Sequence, residues 1–316
     1  MKIYSGTSNK KLSKLIFDQL LIKGYDISEN SFNSLQIDKF LDGEILPIFN
    51  ESIRNQDIFF IQSTNTSENI IETLLVQDAC KRQGVKSFTL IAPFQGYSRQ
   101  DRKDFLRASI GSRMLADVLE KMGLSQLITI DLHNNTVESS YGCPVIHLNG
   151  NKIFIDYIKS LNLKDIVICS PDFGAMKRAQ NFQNAFPNSG FAVMNKKRLK
   201  PNEIHSMELI SSGEISGRDC LILDDLIDTG NTLIKCADIL LDKGANSVRA
   251  CATHGVLSGK SFENIENSNL IEIIVSDTIE NDKKISKLKV ISCSELISSA
   301  MNRLFKHQSI SELNTV

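Results

Sequence analysis

The chain has 316 residues, 41% hydrophobic and 23% charged, a composition ordinary for globular proteins and a length sufficient for two domains. Its 36 Lys and Arg against 37 Asp and Glu exclude the global basic field of a nucleic-acid or membrane-surface binder, so local clusters must carry any anion binding. No apolar run approaches membrane-spanning length and the start has no signal-peptide core, so a cytoplasmic protein with neither membrane nor nucleic acid as partner is expected.

Met1 to Gly6 reads as a strand and turn, and Phe40-Leu41-Asp42-Gly43-Glu44 as a turn carrying two acids. Apolar runs at 57–62, 87–92 and 127–131 predict buried strands, with helical patterns between them, as in an α/β protein with mostly parallel strands. Gly142-Cys143-Pro144 breaks the pattern, and a fresh helical segment starts near Lys152, which predicts a domain boundary at 145–150. Further strands follow at 166–170, 220–224 and 247–252, a polar surface connection at Glu263 to Asn269, and a last helix over Ser294 to Phe305. The seven cysteines contain no C-x-x-C pair and several sit in apolar runs, so they read as reduced core residues rather than a disulfide or zinc framework.

Open α/β sheets place ligands beyond the carboxyl ends of their strands, and here those ends carry unusual chemistry. Arg99-Gln100-Asp101-Arg102-Lys103 gathers three cations, two of them arginines whose guanidinium forks match phosphate oxygens; a solvated loop has the same composition. Asp131-Leu132-His133 and Pro171-Asp172-Phe173-Gly174 each offer a ligand for Mg2+, which takes few protein ligands beside phosphates; a hydrogen-bonding core histidine is the other reading of His133. Lys196-Lys197-Arg198-Leu199-Lys200-Pro201 is either a solvated loop or a mobile cationic loop that closes over a transferring phosphate.

Cys220 to Asp228 runs from an apolar strand through the acids Asp224 and Asp225 into Asp228-Thr229-Gly230-Asn231-Thr232, and Leu233, Ile234, Ala237, Leu240 and Leu241 then space as a helix ending at Gly244. Free N–H groups at a helix start, two threonine hydroxyls and a glycine suit a sugar phosphate, with Asp224 and Asp225 holding ribose hydroxyls directly or through Mg2+. A capped helix after a strand is the plainer alternative.

In this order the segments resemble the ribose-phosphate diphosphokinases, the phosphoribosyl pyrophosphate synthetases. The likeness also takes in Tyr4-Ser5-Gly6, Glu51-Ser52-Ile53-Arg54 and Thr253-His254-Gly255-Val256-Leu257-Ser258-Gly259. It implies two phosphoribosyltransferase-like domains, each with a mostly parallel sheet flanked by helices, at 1–146 for ATP and 147–294 for ribose 5-phosphate. The terminal helix, about 295–316, returns toward the first. The resemblance further implies a Mg2+-dependent transfer of the diphosphoryl group of ATP to the 1-hydroxyl of ribose 5-phosphate, giving AMP and 5-phosphoribosyl 1-diphosphate for nucleotide biosynthesis. Phe40, Asp42, Glu44, Arg99, Gln100 and Asp101 would bind ATP, the first three lent by a neighbouring subunit of a homo-oligomer that is hexameric in the family. His133 and Asp172 would be metal-linked, Asp224 and Asp225 would hold the ribose, Asp228, Thr229, Gly230, Asn231 and Thr232 the 5-phosphate, and Lys196 and Arg198 would form the catalytic loop.

Several positions depart from the family pattern. The sugar-phosphate loop has Gly230 and Asn231 in reversed order, and Ala175 stands where the diphosphate-side loop usually has a second glycine. The segments Asp104 to Ser109 and Thr136 to Tyr141 also differ. A catalytically silent regulatory homologue and a base-transferring phosphoribosyltransferase are the other readings.

Overall fold

The computed structural model describes residues 2–25, 32, 34–200 and 203–314, excepting the side chains of 197–200 and 203–206. The chain forms two compact units. Unit 1 takes the chain up to Asn149, then Thr278–Glu280 and Cys293–Asn314; unit 2 takes Gly150–Asp277 and Asn281–Ser292.

In unit 1 the runs read as strands become β1 (Lys2–Ser5), β4 (Asp57–Ile61), β5 (Ser87–Ala92), β6 (Gln126–Ile130) and β7 (Val145–Leu148), in the order β1-β4-β5-β6-β7. All neighbours are parallel. Because helices cover both faces, these strands are continuous apolar runs instead of alternating ones. The hairpin β2 (Leu35–Lys39) and β3 (Ile45–Phe49) forms a separate two-stranded sheet. Helix α1 (Lys10–Ile22) is capped by Asn9, whose side chain accepts from Leu12 N–H at 2.9 Å. Helix α2 (Ser67–Gln83) is capped in the same way by Thr66, and α3 (Gly111–Met122) ends at Gly123.

Unit 2 begins with α4 (Asn151–Ser160), β8 (Val167–Ser170) and α5 (Met176–Gln183). A long hairpin follows, β9 (Gly190–Lys200) and β10 (Glu203–Ser211), and then β11 (Asp219–Ile227), α6 (Asn231–Asp242) and β12 (Ser247–Gly255). Short helix α7 (Ser261–Glu266), β13 (Glu272–Ser276) and β14 (Leu288–Ile291) complete a seven-stranded sheet of order β10-β9-β8-β11-β12-β13-β14, parallel except for β9 with β10. Helix α6 buries Leu233, Ala237 and Leu240 of the stripe read from the sequence, with Cys236 added to complete an i, i+3, i+4, i+7 face, while Ile234 and Leu241 are half-buried.

The last long helix, α8 (Ser294–Phe305), belongs to unit 1 and packs on α1. Phe305 meets Phe59 and Tyr25 edge-on at centroid distances of 5.0 and 5.1 Å, and Tyr25 donates to the Asn302 carbonyl at 3.1 Å. Helix α9 (Ser311–Asn314) follows, its Asn314 donating to the His147 carbonyl at 3.0 Å. The cysteines are free thiols, all buried except the half-buried Cys143.

Three expectations change. The basic run from Lys196 lies in β9, not in a loop, because β10 supplies an antiparallel partner as far as Lys200. Asp224 and Asp225 lie within β11, not at its end, since β12 carries the ladder on to the pairs Leu226–His254 and Ile227–Gly255. The stretch read as a surface connection at 263–269 contains the end of α7, whose Ile265 is fully buried.

Candidate functional site

The loop between β11 and α6 is built by its backbone. Gly230 caps α6 with φ +78° and ψ −13°, a left-handed conformation that costs a side-chain-bearing residue about 1–2 kcal/mol. A Cβ there would also stand 3.3 Å from Ile265 Cγ1. The reversed glycine-asparagine order is therefore what this backbone requires, and Asn231 becomes the first helical residue, tied to α7 by Asn264 Nδ2 at 3.2 Å from its Oδ1. The far side of the loop is held by Ser258, whose hydroxyl donates to Asp228 and whose N–H reaches the Asp228 carbonyl at 3.2 Å. Thr229 is exposed at the tip.

Beside this loop, Lys196 Nζ lies 3.2 Å from Thr232 Oγ1. With the strand period of two, Lys196 continues the face of Ala192 and Met194, each 1% exposed. Asp225 is buried and Asp224 half-buried, and the Asp225 N–H donates to Asp224 Oδ1 at 2.9 Å. Burial, then the neighbouring charge of Asp225 and that of Asp172, hold the Asp224 carboxyl well above the usual carboxylate range. Three carboxylates thus converge on one part of unit 2, a donor set that gains from a cation or from hydroxyl donors. Among the described residues no group of three or more His, Cys, Asp or Glu forms a ready cage for a metal. The set fits an ion such as Mg2+ that keeps waters and substrate oxygens in its shell.

Asp172 sits just past β8, where its Oδ1 accepts from Ala175 N–H at 3.1 Å. Ala175 has φ −82° and ψ −4°, which any L-residue adopts, so the departure from glycine brings no backbone strain.

Unit 1 carries the other cluster. Tyr97, with φ +59°, turns the chain after β5, and Gln100 N–H closes the turn on the Tyr97 carbonyl at 2.9 Å. The Gln100 carbonyl accepts from both the N–H and the hydroxyl of Ser112, each at 3.2 Å. Gly111 lets this turn lie on the start of α3, because a Cβ there would be 2.7 Å from Gln100 Oε1. Arg99 and Gln100 are exposed, whereas the half-buried Asp101 accepts from Thr136 Oγ1 at 3.2 Å. Past β6, Asp131 is buried with φ +40°, a conformation that Asp tolerates better than most residues, and the exposed His133 follows it. Leu132 N–H donates to His147 Nε2 at 2.9 Å, which anchors that turn to β7. Phe40 to Glu44 form the tip of the β2–β3 hairpin: Phe40 N–H donates to the Glu44 carbonyl at 2.8 Å, and Glu44 N–H to Asp42 Oδ1 at 3.1 Å. Phe40 is 54% exposed and Leu41 fully so.

The sequence residues therefore gather as one set in unit 2 (Asp172, Lys196, Asp224, Asp225 and the 228–232 loop), with Arg99, Gln100, Asp101 and His133 on strand-end turns of unit 1 and Phe40, Asp42 and Glu44 at a hairpin tip. The Arg198 side chain lies outside the described residues. Sequence reasoning missed the buttresses Ser258 and Asn264; the apolar pair Phe262 and Ile265, three apart, was the available sign of α7.

The family model for the N-terminal domain of ribose phosphate pyrophosphokinase matches residues 1–123, and that for the phosphoribosyl synthetase-associated domain matches residues 175–315. The chain belongs to the ribose-phosphate pyrophosphokinase family. It is 37% identical to the ribose-phosphate pyrophosphokinase of Porphyromonas gingivalis, over 98% of this chain and 96% of that protein. It is 38% identical to that of Corynebacterium ammoniagenes, over 99% and 96%. The crystal structure of phosphoribosylpyrophosphate synthetase from Mycobacterium smegmatis superposes with a TM-score of 0.87 at 29% identity, covering 97% of this chain and 99% of that one. Both units of this ribose-phosphate pyrophosphokinase family member thus have the α/β architecture expected, parallel sheets flanked by helices. No described helix is long and apolar enough to cross a membrane.

Proposed function

We propose that the protein transfers the diphosphoryl group of ATP to the 1-hydroxyl of ribose 5-phosphate, with Mg2+, releasing AMP and 5-phosphoribosyl 1-diphosphate. The observation that carries this reading is the meeting of Lys196 with Thr232 of the phosphate loop, beside the Asp224–Asp225 doublet. Unit 2 is then the ribose 5-phosphate domain. Asp228, Thr229, Gly230, Asn231 and Thr232 cradle the 5-phosphate with backbone N–H groups at the α6 start, and Asp224 and Asp225 accept from the ribose hydroxyls. Unit 1 is the ATP domain, where Arg99 offers a guanidinium fork to the polyphosphate and Gln100 and Asp101 offer hydrogen bonds. Phe40, Asp42 and Glu44 complete an ATP site by way of a neighbouring copy, so the protein works as a homo-oligomer, a hexamer by analogy with the family.

The anomeric hydroxyl attacks the β-phosphorus and AMP leaves, a transfer in which positioning and charge neutralisation dominate. Lys196 and Arg198 offset negative charge on the moving diphosphoryl group. His133 in unit 1 and Asp172 in unit 2 are each metal-linked positions, and Mg2+ would supply further neutralisation of the polyphosphate when bound. The protein is expected to act in the cytoplasm, in nucleotide biosynthesis.

Incubation with ATP, Mg2+ and ribose 5-phosphate tests the reading: AMP must form in step with loss of both substrates. Nucleotide binding without AMP would leave a silent regulatory homologue instead, and release of diphosphate from 5-phosphoribosyl 1-diphosphate plus a base would make the protein a phosphoribosyltransferase.

A further inference from the structure

The hairpin that carries Lys196 meets α6 at two points. From Ser206–Lys197 to Ser211–Ala192 the β9–β10 pairing is regular, and within it Met207 stands directly opposite Lys196. Directly opposed residues share a face of the hairpin, so the two side chains leave it on the same side. On α6, Thr232 and Cys236 are four residues apart and therefore also share a face. Lys196 Nζ reaches Thr232 Oγ1 at 3.2 Å, and Cys236 Sγ lies 3.5 Å from Met207 Sδ. Cys236 is fully buried in the unit 2 core, against which Met207 and Leu209 pack. Beyond Ser206 toward the turn, the register shifts twice. The sulfur contact is thus at the last regular part of the ladder, beside the residue whose placement matters.

We propose that Met207 and Cys236 are positioning residues for Lys196: their contact fixes the spacing of hairpin and helix at which the ammonium meets the phosphate loop. This rests on the reading of Lys196 as a catalytic cation, but the clamp is a packing relation with its own readout. Lysine is a flexible four-carbon stem with a point charge, so without a fixed base it can present that charge over a wide arc. Met207 and Cys236 fix the base. The thiol suits this place because burial pushes it up to about 12 and keeps it protonated against the thioether.

The test compares Met207→Ala, Cys236→Ala and Met207→Leu in the full chain. Competitive acylation with acetic anhydride, read by mass spectrometry, reports Lys196 reactivity relative to Lys177 and Lys243 in the ligand-free protein. Both alanine variants should change it by roughly fivefold, the factor that one ordinary packing contact gives, and Met207→Leu, which conserves volume, should restore it. In turnover assays the alanine variants should lose kcat on the order of tenfold with KM for ATP unchanged, since misplacement by about 1 Å costs up to about a hundredfold. Cys236→Ala removes a single heavy atom and serves if Met207→Ala does not fold. Unaltered Lys196 labelling in the alanine variants overturns the inference, as does a leucine variant that behaves like alanine. A wild-type protein that forms no AMP would instead overturn the catalytic reading, with the labelling still deciding the clamp.

Discussion

Gly230→Ala probes the phosphate loop at the point where its backbone departs most from ordinary geometry. At φ +78° an alanine is strained by about 1–2 kcal/mol. The new Cβ would stand 3.3 Å from Ile265 Cγ1 and 3.7 Å from its Cδ1, so the buttressing helix α7 has to give by a few tenths of an ångström. Against this, alanine restricts the unfolded chain and returns about 0.4–1 kcal/mol. The net loss is about 1 kcal/mol, or roughly 3–4 °C in the thermal unfolding of a unit of this size. Calorimetric titration with ribose 5-phosphate should show weaker binding, by up to roughly tenfold, because the strain is relieved by moving the N–H groups of the cradle. Gly230→Asn is the control: asparagine brings the same Cβ but tolerates the left-handed region, so it should lose less than alanine. An alanine variant as stable as the wild type, or an asparagine variant as damaged as the alanine one, would refute the reasoning.

Lys196→Ala should lower AMP formation about a hundredfold, equivalent to about 3 kcal/mol, with little change in thermal stability; near-normal turnover in a steady-state assay sinks the catalytic role. Ala175→Gly brings back the glycine usual in the family yet should cost about 0.5–1 kcal/mol in chemical denaturation, since the backbone there needs no glycine; a tighter ribose 5-phosphate complex would contradict this. Asp224 has a folded pKa raised by burial and by Asp225, so its neutral form favours the fold. Its contribution is full below the unfolded value near about 4 and is lost as pH rises through the folded value. Asp224→Asn should therefore flatten the fall of Tm with pH in the ligand-free protein and raise Tm at neutral pH, while removing ribose 5-phosphate binding; an unchanged Tm-against-pH slope would show that the carboxyl is not held as described.

Strands buried on both faces were legible because continuous apolar runs such as Phe59-Phe60-Ile61 have few other uses. The α6 and α8 stripes were legible because their period is local. Lys196 to Lys200 read as a loop because the four consecutive polar or basic positions Asn195 to Arg198 mask alternation, and the partner strand β10 shows that the row Ala192, Met194, Lys196 continues. The glycine-asparagine reversal looked like a departure in sequence; it becomes a requirement once the dihedral of residue 230 is known. Ser258 and Asn264 act on the loop from about thirty residues downstream, a relation that no local pattern encodes. Asp131 and its positive φ belong to the same class, since a turn anchored by His147 is a tertiary fact.

Helix α8 completes unit 1 but is translated after nearly all of unit 2. At roughly 5–20 residues per second, the ribosome leaves α1 without its partner for roughly 8–30 s after Asn149 has been made. During that interval the surface that α8 will cover, Phe59 and Tyr25 among it, is open to other nascent chains. Unit 2, nearly continuous in the chain, is free to fold first although it is made second. A premature stop just before Ser294, once Gly150–Asp277 and Asn281–Ser292 have been made, would therefore damage the first unit, made long before the stop, more than the second.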